Sequence, residues 1–157
     1  DTCNCLYNTM TPEEEYNSTK ASTDRILDIF RKIMEIKKGG TWSYKPLPQH
    51  SCIDYAMYKN DNLQFFIEVK IRRCKFKDFQ MTKIPASKPG FAMLLAKEFK
   101  KKSYIIIKWE DEIGMIDLLK YSGIESMVAR HDRGESKDIY AMYDTNKMTL
   151  FKALLPD

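Results

Sequence analysis

Residues 63–72 read Leu63-Gln64-Phe65-Phe66-Ile67-Glu68-Val69-Lys70-Ile71-Arg72, and the reading of this stretch decides the fold. Leu63, Phe65, Ile67, Val69 and Ile71 face one way under a period of two, and Gln64, Phe66, Glu68, Lys70 and Arg72 the other. The first face is wholly aliphatic or aromatic and must pack on a core. The second carries an acid and a base two residues apart, so both leave the same side of the strand. Charges set among apolar strand residues are costly to bury unless metal or solvent reaches them.

Upstream, Cys52–Lys59 is a strand candidate ending in Lys59-Asn60-Asp61-Asn62, which makes a hairpin with a four-residue connection. Asp54 lies in that strand, in the alternating set with Cys52 and Ala56. Trp42–Leu47 is a shorter extended run bounded by prolines. Before it, Thr11-Pro12-Glu13-Glu14 carries the marks of a helix start: Thr11 as N-cap, Pro12 at the first helical position, Glu14 placed for a capping box. Ile26, Ile29, Phe30, Ile33 and Ile36 recur at helical spacing until Gly39-Gly40, giving one long amphipathic helix with a candidate break near Asn17–Ser22. Residues 1–10 show no periodicity and read as a loose arm.

Downstream, residues 73–87 are basic and irregular. Ser87 is a candidate cap for a helix running to Lys102 with Phe91, Leu94, Leu95 and Phe99 as its inner stripe. Tyr104–Trp109 is a continuous apolar strand, and Gly114–Leu119 a further one across the turn at Asp111-Glu112. Residues 120–157 form a less regular C-terminal extension with extended runs at Met127–Ala129 and Ile139–Tyr143 and a short final helix. The order is helix, three strands, helix, two strands and tail: a mixed α/β arrangement around a central sheet, read as a single domain over 1–157.

The chain has 157 residues, 43% hydrophobic and 31% charged, the balance of a soluble globular protein. No apolar run approaches the ~20 residues that span a bilayer, so no membrane role is expected. Cys3 and Cys5 are too close to begin a disulfide framework, and Cys52 and Cys74 lack the His or Cys knuckles of a zinc site. The thiols read as reduced, in a cytoplasmic protein. The net charge of +4 alone fits nucleic acid, an acidic membrane or no particular partner; its distribution is more informative, with basic residues clustered between Lys70 and Lys102.

If Asp54 shares a face with Glu68, two carboxylates and the Lys70 ammonium converge at the middle of the sheet. Asp54, Glu68 and the Val69 carbonyl are hard oxygen donors that suit Mg²⁺ or Mn²⁺. Lys70 is placed to orient an attacking water or to stabilise charge growing on a phosphate. Ile53-Asp54, followed in the next hairpin strand by Glu68-Val69-Lys70, resembles the core motif of the PD-(D/E)xK phosphodiesterase superfamily, with Ile53 in place of the proline. That superfamily shares an αβββαβ restriction-endonuclease-like core, matching the order read over roughly residues 12–119. Arg72-Arg73-Cys74-Lys75 and Ser87-Lys88 also resemble its small phage members.

The resemblance implies a metal-dependent nuclease, with DNA favoured over RNA and an endonuclease favoured, working in the cytoplasm or in an infected host cell. It also implies a further carboxylate on the first helix, for which Glu15, on the stripe of Ile26, Phe30 and Ile33, is the candidate; the plainer reading of Glu15 is a first-turn acid opposing the helix dipole. Arg72, Arg73, Lys75, Lys77, Lys83 and Lys88 are candidate phosphate contacts by clustering, although each alone would be ordinary solvated surface. Gln80 is a weaker candidate. Tyr44, Tyr55, Tyr58 and Phe66 could stack on unpaired bases, but at strand spacing they read first as packing. His50 and His131 belong to no constellation. Many members of the superfamily are dimers, so a homodimer is compatible with the resemblance, although no stretch marks an interface. The rivals are a cap-snatching RNA endonuclease of the same fold and a binding module that does not cut; an intact Asp54, Glu68 and Lys70 argues against the latter.

Overall fold

The computed structural model describes residues 11–120, 125–129 and 137–154. The first helix, α1 (Pro12–Lys38), opens with the capping box: Glu14 N donates to Thr11 Oγ1 at 3.1 Å and Thr11 N to Glu14 Oε2 at 3.0 Å. It runs without a break through Asn17–Ser22. It ends where Gly39 and Gly40 both take positive φ, and a Cβ on Gly40 would sit 2.7 Å from Lys59 Cε. The buried stripe is Thr23, Ile26, Leu27, Phe30 and Ile33. Ile29 and Ile36, expected on it, are 45% and 64% exposed, because the helix rests on the sheet along the row through Leu27.

Strands β1 (Trp42–Pro46), β2 (Tyr55–Lys59) and β3 (Asn62–Ile71) form an antiparallel meander. The β2–β3 connection is tighter than the expected four residues. Lys59 pairs with Asn62 across Asn60 and Asp61, both at positive φ, as in a primed two-residue hairpin turn. Between Met57↔Phe65 and Tyr58↔Leu63 the register slips, leaving Gln64 as the extra residue of a bulge. Leu63 therefore packs with the cluster around Ala56 and Phe66, opposite to the face of Phe65 and Ile67 where plain alternation puts it.

After β3, residues expected to be irregular form a one-turn 3-10 helix, Phe76–Asp78, and a strand, β4 (Met81–Pro85). The second helix, α2 (Ser87–Phe99), is capped by Ala86 without a side-chain bond, so Ser87 is its first residue and not its cap, and it ends at Lys100 in the left-handed region, short of Lys102. Pro89, Ala92 and Leu95 are its buried residues, while Leu94 is 57% exposed and Phe99 projects half-exposed against Phe66. Strands β5 (Ser103–Lys108) and β6 (Ile113–Asp117) follow, then β7 (Glu125–Ala129), β8 (Lys137–Asp144), β9 (Thr149–Leu150) and α3 (Phe151–Leu154). β7, β8 and the short final helix fall where the pattern put them, while β9 is a two-residue strand that the pattern did not mark.

Among the described residues six strands make a mixed sheet, β1-β2-β3-β5-β6-β9, in which only β3 and β5 run parallel, and β4-β8-β7 make a second, smaller sheet. One face of the large sheet carries Met57, Ile67, Val69 and Ile106 against α1; the other carries Ala56, Phe66, Ile105 and Ile107, covered by Ala92 and Leu95 of α2 and by Ile84, Ala141 and Tyr143 of the small sheet. Because β3 and β5 are parallel, the chain must cross back over one face between them. That crossover lays the start of α2 over the C-terminal half of β3. The arm expected over residues 1–10 and His131 lie outside the described residues, as do Cys3 and Cys5. No helix among the described residues is long and apolar enough to cross a membrane.

Candidate active site

Glu68 stands on the central strand with both sheet faces covered, and only 1% of it is exposed. The hairpin register supplies its neighbour. Tyr55 pairs with Ile67 and Ala56 with Phe66, so one step further Asp54 comes opposite Glu68, on the same face as Ala56 and Phe66. Ile53, wholly buried, anchors the approach, and Leu47 N donates to the Asp54 carbonyl at 2.7 Å. Asp54 itself is exposed at the mouth of the site.

Two cations close on Glu68. Lys70 Nζ lies 3.8 Å from Oε1, and Lys88 Nζ lies 3.3 Å from Oε2. The Lys88 ammonium is aligned elsewhere, donating to the Cys52 carbonyl at 2.5 Å, so Glu68 Oε2 has an ion-pair partner but no well-directed donor among the described residues.

Burial pushes the Glu68 carboxyl up to about 7, and Asp54 adds to this through its charge and a hydrogen bond between the two carboxyls; Lys70 and Lys88 pull the other way. Burial likewise lowers Lys70, helped by the charges of Lys88 and Arg72 and opposed by those of Glu68 and Asp54. Two carboxyls held face to face, one with an orphaned buried oxygen, form a place whose electrostatics a hard cation would relieve. Among the described residues no three His, Cys, Asp or Glu side chains gather as a metal group, so the donor set on view is this pair of carboxylates.

The other expected residues scatter. Val69 turns its side chain into the core beneath α1, which leaves only its backbone carbonyl for the site. Glu15 lies in α1, but its side chain is outside the described residues. Arg72 is half-buried and donates to the Lys83 carbonyl at 2.8 Å, joining β3 to β4. Lys83 alternates with the buried Thr82 and Ile84 and so leaves the opposite side of β4. Arg73, Lys75, Lys77 and Gln80 are exposed along the β3–β4 link. Tyr44 and Tyr55 pack edge to face beneath α1, Phe66 lies in the core, and Tyr58 packs beside it under Lys45. His50 is exposed.

Sequence reasoning missed the place of Lys88 against Glu68. The signal was the parallel β3–β5 pair, which a continuous apolar strand after a helix already suggests, and which forces the beginning of α2 over Glu68.

An acid and a lysine two apart on the middle strand of an αβββαβ core, faced by an acid that here stands just before the adjoining hairpin strand and not within it as the sequence suggests, define the PD-(D/E)xK class of nucleases. Residues 13–154 match the family described as "Phage putative PDDEXK endonuclease", and the chain belongs to that family. Among the solved structures that share the fold are two nucleases. One is Hjc of Archaeoglobus fulgidus, a Holliday junction resolvase from an archaeal hyperthermophile, at 12% identity and a TM-score of 0.53 over 85% of this chain and 95% of the other. The second is D212, a nuclease from a fusselovirus, at 12% identity and a TM-score of 0.51 over 96% and 93%. No match was found among curated proteins.

Proposed function

We propose that this chain is a Mg²⁺- or Mn²⁺-dependent endonuclease that hydrolyses phosphodiester bonds in DNA, working as a single nuclease domain. The observation that carries the reading is the burial of Glu68 beside Asp54 with Lys70 on the same face. A solvated surface ion pair would have no reason to sit on the central strand at 1% exposure.

Asp54, Glu68 and the Val69 carbonyl would hold the ion, which supplies Lewis-acid stabilisation of charge on the phosphate and acidifies water. The chain's own residues do the rest. With the ion bound, Asp54 and Glu68 would both be ionised and would keep two negative charges at a fixed point beneath the substrate. Lys70, its ammonium made less stable by burial, holds the attacking water and can exchange a proton with it nearer neutrality than a solvated lysine would. Its remaining positive charge favours the anionic transition state over the bound phosphodiester. The exposed Arg73 and Lys75, with Lys83, supply phosphate-neutralising charge along the β3–β4 edge.

The test is direct: purified protein is incubated with circular, linear, branched and single-stranded DNA and with RNA, in Mg²⁺, Mn²⁺ or EDTA. Cleavage of circular DNA in metal and none in EDTA is the expected result. Cleavage of RNA alone would replace DNA by RNA as the substrate, and cleavage of nothing would leave a binding module.

A further inference from the structure

We infer that Lys88 is a positioning residue of the active site, tying the segment that carries Asp54 to the strand that carries Glu68. The inference rests on the metal-dependent reading above. Asp54 precedes β2 and lacks a strand ladder of its own. One side of its segment is held by Leu47 N on the Asp54 carbonyl, at 2.7 Å, and a small turn inside it is closed by Ser51 N on the Pro48 carbonyl, at 2.9 Å. The other side is held by Lys88, whose ammonium reaches the Cys52 carbonyl at 2.5 Å and stands 3.3 Å from Glu68 Oε2. One side chain thus touches both halves of the carboxyl pair's scaffold.

The location of Lys88 is a second argument. It lies in the first turn of α2, where no acidic residue is present. A cation there opposes the helix dipole, at a cost of a few tenths to about 1 kcal/mol. Its side chain is only 16% exposed, so the charge is also partly desolvated. A lysine serving as a phosphate contact would keep its head in solvent and reach outward; both partners of this one lie inward. A helix start that accepts an unfavourable, half-buried cation is explained by what the cation holds.

Lys88→Met keeps the apolar stem and removes the donor. In the metal-free full chain, amide exchange at Leu47 and Ser51 should accelerate at least tenfold. Mn²⁺ affinity, by titration calorimetry, should fall about 10- to 100-fold, the usual effect of removing a group that orients a ligand. The salt dependence of DNA binding, measured in EDTA, should stay as in the wild type. Lys88→Arg retains a donor and should recover most of both losses. If Lys88→Met does not fold, Lys88→Gln carries the comparison, with intermediate losses expected. Unchanged exchange and unchanged Mn²⁺ affinity, with a salt slope reduced by about one, would overturn the inference and make Lys88 a phosphate contact. A wild type that binds no Mn²⁺ would remove the metal-dependent reading, while the exchange rates would still judge the tie.

Discussion

Replacing Glu68 with Gln removes a carboxyl whose pKa the fold raises toward neutrality. Its pKa rises from 4.5 to about 7, chiefly by burial and secondly through Asp54. At 1.36 kcal/mol per pKa unit, that rise amounts to about 3 kcal/mol. The sign follows from proton binding: between those two values the folded chain holds a proton that the unfolded chain has released. The stabilisation is complete below pH 4.5 and is lost as pH climbs through about 7. Metal-free wild type should therefore lose up to about 3 kcal/mol of stability across this window from Glu68 alone, whereas Glu68→Gln, neutral throughout, should not. Urea denaturation of both proteins in EDTA at pH 4.5, 6 and 8 measures the difference of differences, which cancels the titrating groups that do not interact with Glu68. Glu68→Gln should gain on the wild type by about 3 kcal/mol between the ends of the series. Saturating Mn²⁺ should erase that gain by stabilising only the wild type. A stability gap independent of pH would refute the argument, since Glu68 would then be an ordinary ionised carboxylate and not one strained for a cation.

Two further outcomes follow from other parts of the molecule. Neutralising Arg73 and Lys75 together should lower the slope of log affinity for DNA against log salt by roughly one to two, at about 0.9 per phosphate contact; an unchanged slope would assign the pair to inert surface. Ile106→Ala should destabilise the chain by about 2–5 kcal/mol, because Ile106 is wholly buried on the parallel strand between α1 and the sheet. A loss under 1 kcal/mol in urea denaturation would mean that this layer is far looser than its burial implies.

The parts legible in the sequence are those written in local chemistry. Thr11, Pro12 and Glu14 start α1 through bonds three residues long, and Gly39-Gly40 ends it through backbone freedom. Alternation through Phe65–Ile71 separates Glu68 and Lys70 from Ile67 and Val69 because strand period is a property of the backbone alone. What was not legible depends on partners distant in the chain. The bulge at Gln64 turns Leu63 over, which a count by twos cannot foresee. Met81–Pro85 looked irregular and basic, yet it is a strand because β8, some sixty residues later, pairs with it. The α2 stripe was misread toward Leu94 since size suggested burial, whereas the close approach of helix and small sheet takes Ala92 instead. Lys88 reads in the sequence as a candidate phosphate contact, and only the crossover sets it against Glu68.

The central claim is that Asp54 and Glu68 hold an ion while Lys70 acts on water and phosphate, and one paired measurement separates these roles. Lys70→Ala and Asp54→Asn are compared with wild type by Mn²⁺ titration calorimetry and by plasmid cleavage on the same samples. Lys70→Ala should lose cleavage by at least a thousandfold with Mn²⁺ affinity within a fewfold of wild type, because it removes transition-state stabilisation and no ligand. Asp54→Asn should lose both, because it removes a hard anionic donor. Wild-type cleavage by Lys70→Ala, or undiminished Mn²⁺ binding by Asp54→Asn, would contradict the account.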